Sequence, residues 1–429
     1  MTSVGTTLDR AFRSLHVRNY RLYFIGQTIS MSGTWMQSVA QAWLVLKLSG
    51  GGVALGIVTA LQFLPMLLAG PWGGVIADRV DKRRLVAITQ SVSGLLALAL
   101  GVLTVTGVVQ LWMVYVLALL LGVVSLADMP ARQAFVMEMV GPEDVANAVS
   151  LNSVLTNAAR IVGPAAAGLL IATIGIGPCF LANAASYIAV VVAFVAMDPR
   201  ELRRGRPVER KRGQLREGLR YVWSRPDLRA PLLLMAVVGA LAYNFSVVLP
   251  LMVKVVFHAG PGELGVLYSA MGAGAVAGGL AIATRSRPTH AVLSWSALGL
   301  GAALVATALA PRVGIELVAM VPVGIASTAF IANANALLQI GASEEMRGRV
   351  MALFMMVFLG TTPIGGPLIG WIAQRFGSRE ALLVGAVATT IAGAVALARL
   401  RHFRSESPPT QAEHESAREA ELAEATTSS

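Results

Sequence analysis

Charge is scarce in this sequence. Only 13% of the 429 residues are Asp, Glu, Lys or Arg, against about 25% in a typical soluble domain. Hydrophobic residues make up 55% of the chain, and the mean hydropathy is +0.68. This chain has too few polar residues to cover the surface of soluble domains of the same length, so the composition predicts a membrane protein.

Groups that carry enzyme chemistry are also rare. The chain has one cysteine, Cys179, which can form no intrachain disulfide and is expected to be a small packing residue. There are only five His, and the apolar stretches hold no cluster of His, Cys and acidic residues. No Gly-x-x-x-x-Gly-Lys-Ser/Thr phosphate loop occurs. We therefore expect no enzyme activity, no metal, no cofactor and no ATP site.

The first twenty residues lack the apolar core of a cleavable signal peptide, so the first span is expected to direct membrane insertion. Twelve apolar stretches are long enough to cross the ~30 Å hydrocarbon core, which takes about twenty helical residues. They lie at 19–46, 52–77, 85–107, 110–129, 146–173, 177–197, 228–256, 262–283, 289–310, 313–340, 346–374 and 379–400. The expected fold is all-α, with six-helix bundles at 19–197 and 228–400.

The net charge of +11 is distributed unevenly between the two sides of the membrane. If the N-terminus is cytoplasmic, the outer loops hold only five basic residues, one lies within a span, and all others of the 34 Lys and Arg are on the inner side. The positive-inside rule then predicts that both termini are cytoplasmic, in the plasma (inner) membrane. This distribution favours membrane lipids over nucleic acid as the partner of the basic residues.

Three segments are expected to lie outside the bundles, on the cytoplasmic side. Residues 1–18 precede the first span, and residues 401–429 form an acidic tail that is expected to be disordered. The linker 198–227 contains an amphipathic pattern, with apolar Leu215, Leu219 and Val222 opposite charged residues. That pattern predicts a helix lying on the membrane surface, with a regulatory or partner site as the less favoured alternative.

The two halves of the sequence resemble each other. Gly163, Gly168 and Gly175 in the fifth stretch align with Gly365, Gly370 and Gly377 in the eleventh at one constant offset. Two parallel six-helix repeats joined by an inner loop are typical of transporters that bind substrate between the repeats.

The stretch Gly74-x-x-x-Asp78-Arg79-x-x-Lys82-Arg83-Arg84 resembles the loop signature of the major facilitator superfamily. Arg160-Ile-Val-Gly-Pro-Ala-Ala-Ala-Gly168 resembles the fifth-helix motif of drug and proton antiporters. Segments 129–134 and 147–153 resemble the branch that contains the enterobactin exporter and macrolide efflux pumps. The similarity covers about residues 15–400.

The resemblance implies a conformational latch between the second and third spans. Asp78 would face the start of the eleventh helix and hold the halves together on the inner side, where a helix N-terminus stabilises a carboxylate. Arg79 would pair with Asp128 at the inner end of the fourth helix, and Gly74 and Arg83 complete the predicted latch. Asp81 departs from the family pattern, because many members have glycine there. A purely topological role as positive-inside anchors is the alternative.

Arg160 lies midway along the fifth span, where a charge is costly and usually functional. It is interpreted as a gate, a substrate contact or a modulator of a proton site, with a structural tie between helices as the alternative. Gly163, Pro164 and Gly168 follow it and predict a bend with tight packing, which in the resembling antiporters seals the outer end of the cavity. A generic membrane-helix kink is the alternative.

Uncharged polar residues in the first, fifth, seventh and tenth spans are candidates for a substrate cavity, and interhelical hydrogen bonding is an equally good interpretation of each. They are Trp35, Gln37, Gln41, Asn157, Tyr243, Asn244 and Asn333. Together with the 17 Met residues they favour a soft, mostly apolar cavity.

Because no ATP site is evident, the expected source of energy is an ion gradient, with protons as the favoured ion. No carboxylate lies near the centre of a predicted span, and Asp128 is the best candidate for a proton carrier. The leading hypothesis is a proton-coupled antiporter, expected to be a monomer, that exports small apolar or amphiphilic molecules of the drug or siderophore type. An importer or lipid flippase of the same fold, and a receptor or sensor that does not transport, are the alternatives.

Overall fold

The computed structural model describes residues 12–203, 214–284 and 288–406, without the side chains of 71–78, 214–215, 283 and 400–406. The described chain is almost entirely helical, which confirms the all-α prediction. Two short 3₁₀ turns, Arg13–His16 and Pro199–Glu201, flank the first group of helices.

Twelve long helices cross the described part of the molecule, six before the linker and six after it. In the first half they are α1 (Arg18–Ser49), α2 (Gly52–Arg79), α3 (Lys82–Val105), α4 (Leu111–Val140), α5 (Val145–Thr173) and α6 (Gly177–Ala196). In the second half they are α7 (Pro226–Val256), α8 (Pro261–Ala283), α9 (His290–Ala308), α10 (Val313–Gly341), α11 (Glu344–Arg375) and α12 (Ser378–Glu406).

Eleven of these helices are long and apolar enough to cross a membrane, and α1 is the exception. It buries several polar side chains, including Gln27, Ser30, Gln37 and Gln41, which lower its hydropathy. α1 nevertheless packs along α5 and α6, as a spanning helix does. The even number of crossings puts Arg18 and the end of α12 on one side of the molecule, which we call the terminal side. We call the other side of the molecule the opposite side.

The largest differences from the sequence predictions are in α4, α12 and α7. α4 continues through Pro130 to Val140 rather than ending at 129, because Phe135 and Met139 are buried against α1 and α6. α12 continues to Glu406, into the predicted tail, and residues 407–429 lie outside the described part. α7 is interrupted after Leu241 and resumes at Phe245.

The helix pairing repeats between the halves. α2 packs on α4 and α3 on α6 in the first half, and the equivalent pairs α8–α10 and α9–α12 form in the second. Across the halves, α2 packs on α11 and α5 on α8, which are again equivalent positions. The structure therefore has the repeated helix arrangement that the glycine register indicated.

The linker helix, Gln214–Ser224, packs on the start of α11. Glu217 forms an ion pair with Arg349 at 2.7 Å, and Val222 is fully buried. Leu219 and Trp223 are about half exposed on the remaining apolar face. The predicted amphipathic helix is present, and it contacts the second half as well as offering apolar side chains to a membrane surface.

Close packing of α8 on α10 depends on a glycine. A Cβ added at Gly274 would collide with the backbone of Val321, whereas a Cβ at Gly299 in α9 would meet no atom within 4 Å. We expect Gly274→Val to destabilise the protein by about 1–3 kcal/mol through overpacking. Gly299→Val is the matched control. Thermal unfolding of the detergent-purified proteins checks this, and equal melting temperatures for the two variants would contradict it.

Candidate transport pathway between the two halves

α2 and α11 meet at their opposite-side ends through glycines. A Cβ added at Gly52 would strike the carbonyl of Gly370, and one at Gly56 would strike the carbonyl of Gly366. Small residues let helix backbones approach closely, and such packing is a main source of helix association in membranes. The first contact between the halves is therefore a backbone contact near the opposite side.

α5 and α8 make the second contact. Gly168 lies against Gly262, and a Cβ at Gly265 would collide with the carbonyl of Pro164. About one turn after Gly265 on α8, the Ser269 hydroxyl donates a hydrogen bond of 2.7 Å to the Ile161 carbonyl. The predicted tight packing around Pro164 and Gly168 is present, and its partner is α8 of the other half.

Two further hydrogen bonds join the halves at the same end. The Lys254 ammonium donates to the Leu46 carbonyl at 2.8 Å, and the Val53 amide donates to Gln374 Oε1 at 3.1 Å. With the Ser269 bond, these are the hydrogen bonds between the halves among the described residues. On the terminal side, the described parts of α4 and α10 do not pack together. The structure is therefore closed at the opposite side.

Arg160 lies beneath this closure, midway along α5. Its guanidinium stacks over the Trp35 ring, with Cζ 5.1 Å from the ring centroid. Gly163 allows this arrangement, because a Cβ there would strike the Ser32 carbonyl and the Trp35 Cβ of α1. Within the described residues Arg160 makes no hydrogen bond or ion pair, and its Nε is buried without a partner.

The cost of placing the Arg160 charge in the membrane exceeds the stabilisation that its contacts provide. A central Arg costs about 2.5–3.5 kcal/mol on membrane-insertion scales. A cation–π contact returns about 0.5–2 kcal/mol, and no acceptor adds to it. A structural tie between helices would require hydrogen bonds to carbonyls or amides, which Arg160 lacks in the described structure. The geometry favours the functional interpretation.

Two other predicted cavity residues lie near Arg160. Tyr243 of α7 is close enough for an electrostatic interaction with Arg160, and its hydroxyl donates to the Ser327 carbonyl at 3.1 Å. Asn157 is one turn before Arg160 on α5 and donates to Ser153 within its own helix. Trp35, Arg160 and Tyr243 thus link helices α1, α5 and α7, and Asn157 lies one turn away on α5.

The remaining cavity candidates make interhelical or local contacts instead. Gln37 accepts a hydrogen bond of 2.6 Å from Asn183 of α6, inside the first half. Asn333 donates to the Thr289 carbonyl at the start of α9, and Asn244 donates to Ala240 beside the break in α7. Gln41 is also buried. These contacts favour the alternative interpretation, in which such residues tie helices together.

A groove of about 620 Å³ lies at the opposite-side end, between α5, α8 and α10. Its lining is glycine and apolar residues apart from Glu263, and that carboxylate caps its own helix by accepting from the Gly260 amide at 3.0 Å. The groove does not include Arg160, so it is distinct from the predicted cavity.

The loop between α2 and α3 is anchored by its basic residues. Arg83 donates to the carbonyls of Phe194 and Val195 at the end of α6, at 2.8 and 3.2 Å. Lys82 forms an ion pair of 2.7 Å with Glu138 of α4. Asp81, where the family often has glycine, begins α3 by accepting from the Arg84 amide at 3.0 Å, as an N-cap does.

The latch predicted at Asp78 lies partly outside the description. Side chains are not described for residues 71–78, so the predicted contacts of Asp78 and Gly74 lie outside the described part. Arg79 is exposed, and its predicted ion pair with Asp128 is not formed in the described structure. Asp128 pairs instead with Arg132 at 2.8 Å, one turn along α4.

A polar cluster surrounds Asp128, which is 4% exposed. Its Oδ1 accepts from the Thr89 hydroxyl at 2.6 Å and from the Gln90 amide at 3.0 Å, both on α3. Arg132 also donates to Gln27 of α1 at 3.2 Å. Arg132 was not predicted as a site residue, although its i, i+4 spacing from Asp128 is the signal that sequence reasoning had available.

The comparisons with known proteins agree with this architecture. The family model described as "transmembrane secretion effector" matches residues 10–427. The chain belongs to this family of major facilitator transporters. Its members are transporters and not enzymes, as the sequence predicted.

Three characterised relatives match over most of their length. The staphyloferrin A transporter of Staphylococcus aureus is 27% identical over 83% of this chain and 90% of its own. The multidrug efflux pump Tap of Mycolicibacterium fortuitum is 28% identical over 88% and 95%. The enterobactin exporter EntS of Escherichia coli is 24% identical over 92% and 95%. The resemblance to the enterobactin-exporter branch is confirmed.

Among solved structures, a bacterial homologue of the human lysosomal transporter Spinster superposes with a TM-score of 0.73 at 14% identity. The match covers 91% of this chain and 99% of that one, which was solved in an inward-facing, unoccupied conformation. At this identity the similarity concerns the fold alone. It confirms the major facilitator fold.

The glycine contact between α2 and α11 predicts a conformational effect. We expect Gly56→Val to prevent close contact with Gly366 and to open the opposite side. Gly70→Val, on the same helix, is the control because a Cβ there meets only Met66 at ordinary contact distance. In a Cys179→Ser background, spin labels at Gln110 and Arg312 should report longer distances for Gly56→Val alone. Unchanged distances, or the same change in both variants, would contradict this role.

The Asp128–Arg132 pair predicts a second, independent result. Removing one partner of a buried ion pair leaves an uncompensated charge and costs about 3–5 kcal/mol. Arg132→Gln should therefore lower the melting temperature markedly, and the double variant Asp128→Asn/Arg132→Gln should recover most of the loss. Thermal unfolding of both proteins measures this. A double variant no more stable than Arg132→Gln would show that the pair does not stabilise the fold.

Proposed function

We propose that this protein is a secondary transporter that exports small apolar or amphiphilic molecules of the drug or siderophore type by alternating access. The observation that carries this proposal is the one-sided closure, in which α2–α11 and α5–α8 contact each other at the opposite-side ends. The relatives support the direction, since Tap is an efflux pump and EntS an exporter.

The terminal side is taken as the cytoplasm, in agreement with the positive-inside rule. The structure then represents the state in which the site around Arg160 is accessible from the cytoplasm, as an exporter needs for loading. Residues 19–197 and 228–400 would move as two bundles in the plasma (inner) membrane, joined by the linker. The protein would work as a monomer.

Export would be driven by protons through the Asp128 cluster. Protonating Asp128 removes the partner of Arg132, and both lie on α4 beside hydrogen bonds that connect it to α1 and α3. A proton would therefore change the contacts of three helices on the terminal side. The predicted latch at Asp78, Arg79 and Arg83 would hold the terminal side closed in the alternate state, when the opposite side opens.

Everted membrane vesicles test this proposal. With an imposed inside-acid pH gradient, vesicles that contain the protein should accumulate the uncharged dye Nile red, and a protonophore should abolish the accumulation. Asp128→Asn should reduce gradient-driven uptake about tenfold or more. Dye exchange measured in the absence of a pH gradient should be unchanged. Glu344→Gln, which changes an exposed carboxylate on the same side, should behave as wild type. Uptake that ignores the gradient, or equal loss in both variants, would refute proton coupling through Asp128.

A further inference from the structure

The guanidinium of Arg160 has an unused capacity to bind an acceptor. Nε is buried without a partner, and the residue as a whole is only half-buried. The two Nη groups make no hydrogen bond in the described structure and are not sealed from open space, so they are available to a ligand. A planar guanidinium presents its donors in a fork that matches a carboxylate.

Two other cations in the described first half are paired with carboxylates. Asp128 pairs with Arg132, and Lys82 pairs with Glu138, in both cases within the first half. Tyr243, which interacts electrostatically with Arg160 from the second half, is a phenol whose hydroxyl donates to the Ser327 carbonyl. Arg160 is therefore an uncompensated cation between the halves, among the residues that the structure describes.

Aromatic rings of both halves lie near this cation. Trp35 lies under the guanidinium at 5.1 Å, on α1. On the second half, Tyr243 belongs to a cluster of rings whose centroids lie 6.2–6.4 Å from its own: Phe245, Phe330 and Phe358. A site with one cation and two aromatic walls suits a ligand with an anionic group and a flat apolar body.

We propose that Arg160, Trp35 and Tyr243 form a binding site for organic anions, in which a carboxylate pairs with Arg160 and an aromatic or apolar body packs on the rings. This inference rests on the proposed export function and narrows its substrate class. It also assigns a role to the buried charge, because the ligand supplies the counter-charge that the protein lacks. Cationic amphiphiles of the same shape would be repelled from this point.

Two dyes with the same xanthene ring system test the proposal: fluorescein, which is an anion with a carboxylate, and rhodamine 123, which is a cation. Their affinities for the detergent-purified full chain are measured by fluorescence anisotropy at neutral pH. Wild type should prefer fluorescein. Arg160→Gln should weaken fluorescein binding by about tenfold to a hundredfold and leave rhodamine 123 binding unchanged or tighter.

Three controls separate charge recognition from damage to the fold. Arg225→Gln removes an exposed, ion-paired arginine outside the pathway and should bind both dyes as wild type does. Arg160→Lys keeps the charge but loses the fork, so it should retain part of the preference for fluorescein. Trp35→Leu should weaken binding of fluorescein while keeping the preference for the anion. Melting temperatures establish that each variant is folded.

Several results would overturn the proposal. These are a wild type without preference for fluorescein, equal loss of both dyes in Arg160→Gln, or loss of fluorescein binding in Arg225→Gln. If Arg160→Gln does not fold, Arg160→Lys and wild type decide the matter through their preference between the dyes. Uptake of the uncharged dye Nile red by everted vesicles is measured separately, so anion recognition can fail while the export function stands, and the reverse.

Discussion

Backbone contact through glycine is the constraint on which this structure depends. In a membrane, lipid is as apolar as the helices, so helices associate through close packing and hydrogen bonds rather than through hydrophobic burial. The two halves meet where Gly52, Gly56, Gly168 and Gly265 remove the side chains that would keep them apart. A surface of small residues packs closely yet has no interlocking side chains, so two halves joined in this way can separate without repacking either interior.

The placement of charge complements that contact. On the terminal side, carboxylates and cations are paired: Lys82 of α3 with Glu138 of α4, and Asp128 with Arg132 one turn along α4. These pairs satisfy buried charge and fix the ends of the first-half helices. Arg160, directly below the closure, is left with a ring as its contact. Among the described residues, two buried charged side chains have atoms without a partner: Arg160, where the halves meet, and Glu316, near the opposite-side end of α10.

Much of the fold was predictable, because helix length, hydropathy and loop charge report directly on the membrane. α1 was predicted from its length and apolar content, although its buried polar residues lower its hydropathy. The extension of α4 to Val140 was missed because Pro130 and the charges around it indicated an end, whereas burial of Phe135 and Met139 decided the outcome. At the break in α7, Asn244 donates to Ala240 one turn back, and the Phe245 carbonyl accepts from Tyr268 of α8. The second of these is a tertiary contact, which periodicity does not contain.

The candidate site was predictable to a smaller extent, for a physical reason. Arg160 and Gly163 stood out because a charge and a glycine–proline pair are rare inside spans, and the structure places them against Trp35. Amides such as Gln37 and Asn333 gave no comparable signal, since an amide satisfies a neighbouring helix as readily as it faces a cavity. Arg132 was overlooked because its partner had been assigned to Arg79.

The energy that separates the two states follows from the same contacts. Three hydrogen bonds join the halves at the closed end, and each contributes about 0.5–1.5 kcal/mol net. Opening that end therefore costs a few kcal/mol beyond the lost glycine packing. A ligand shifts such an equilibrium only through a difference in its affinity for the two states. A hydrogen bond to a charged group contributes about 1.5–3 kcal/mol, so a ligand that made one to Arg160 in only one state would shift the equilibrium by an amount similar to these contacts.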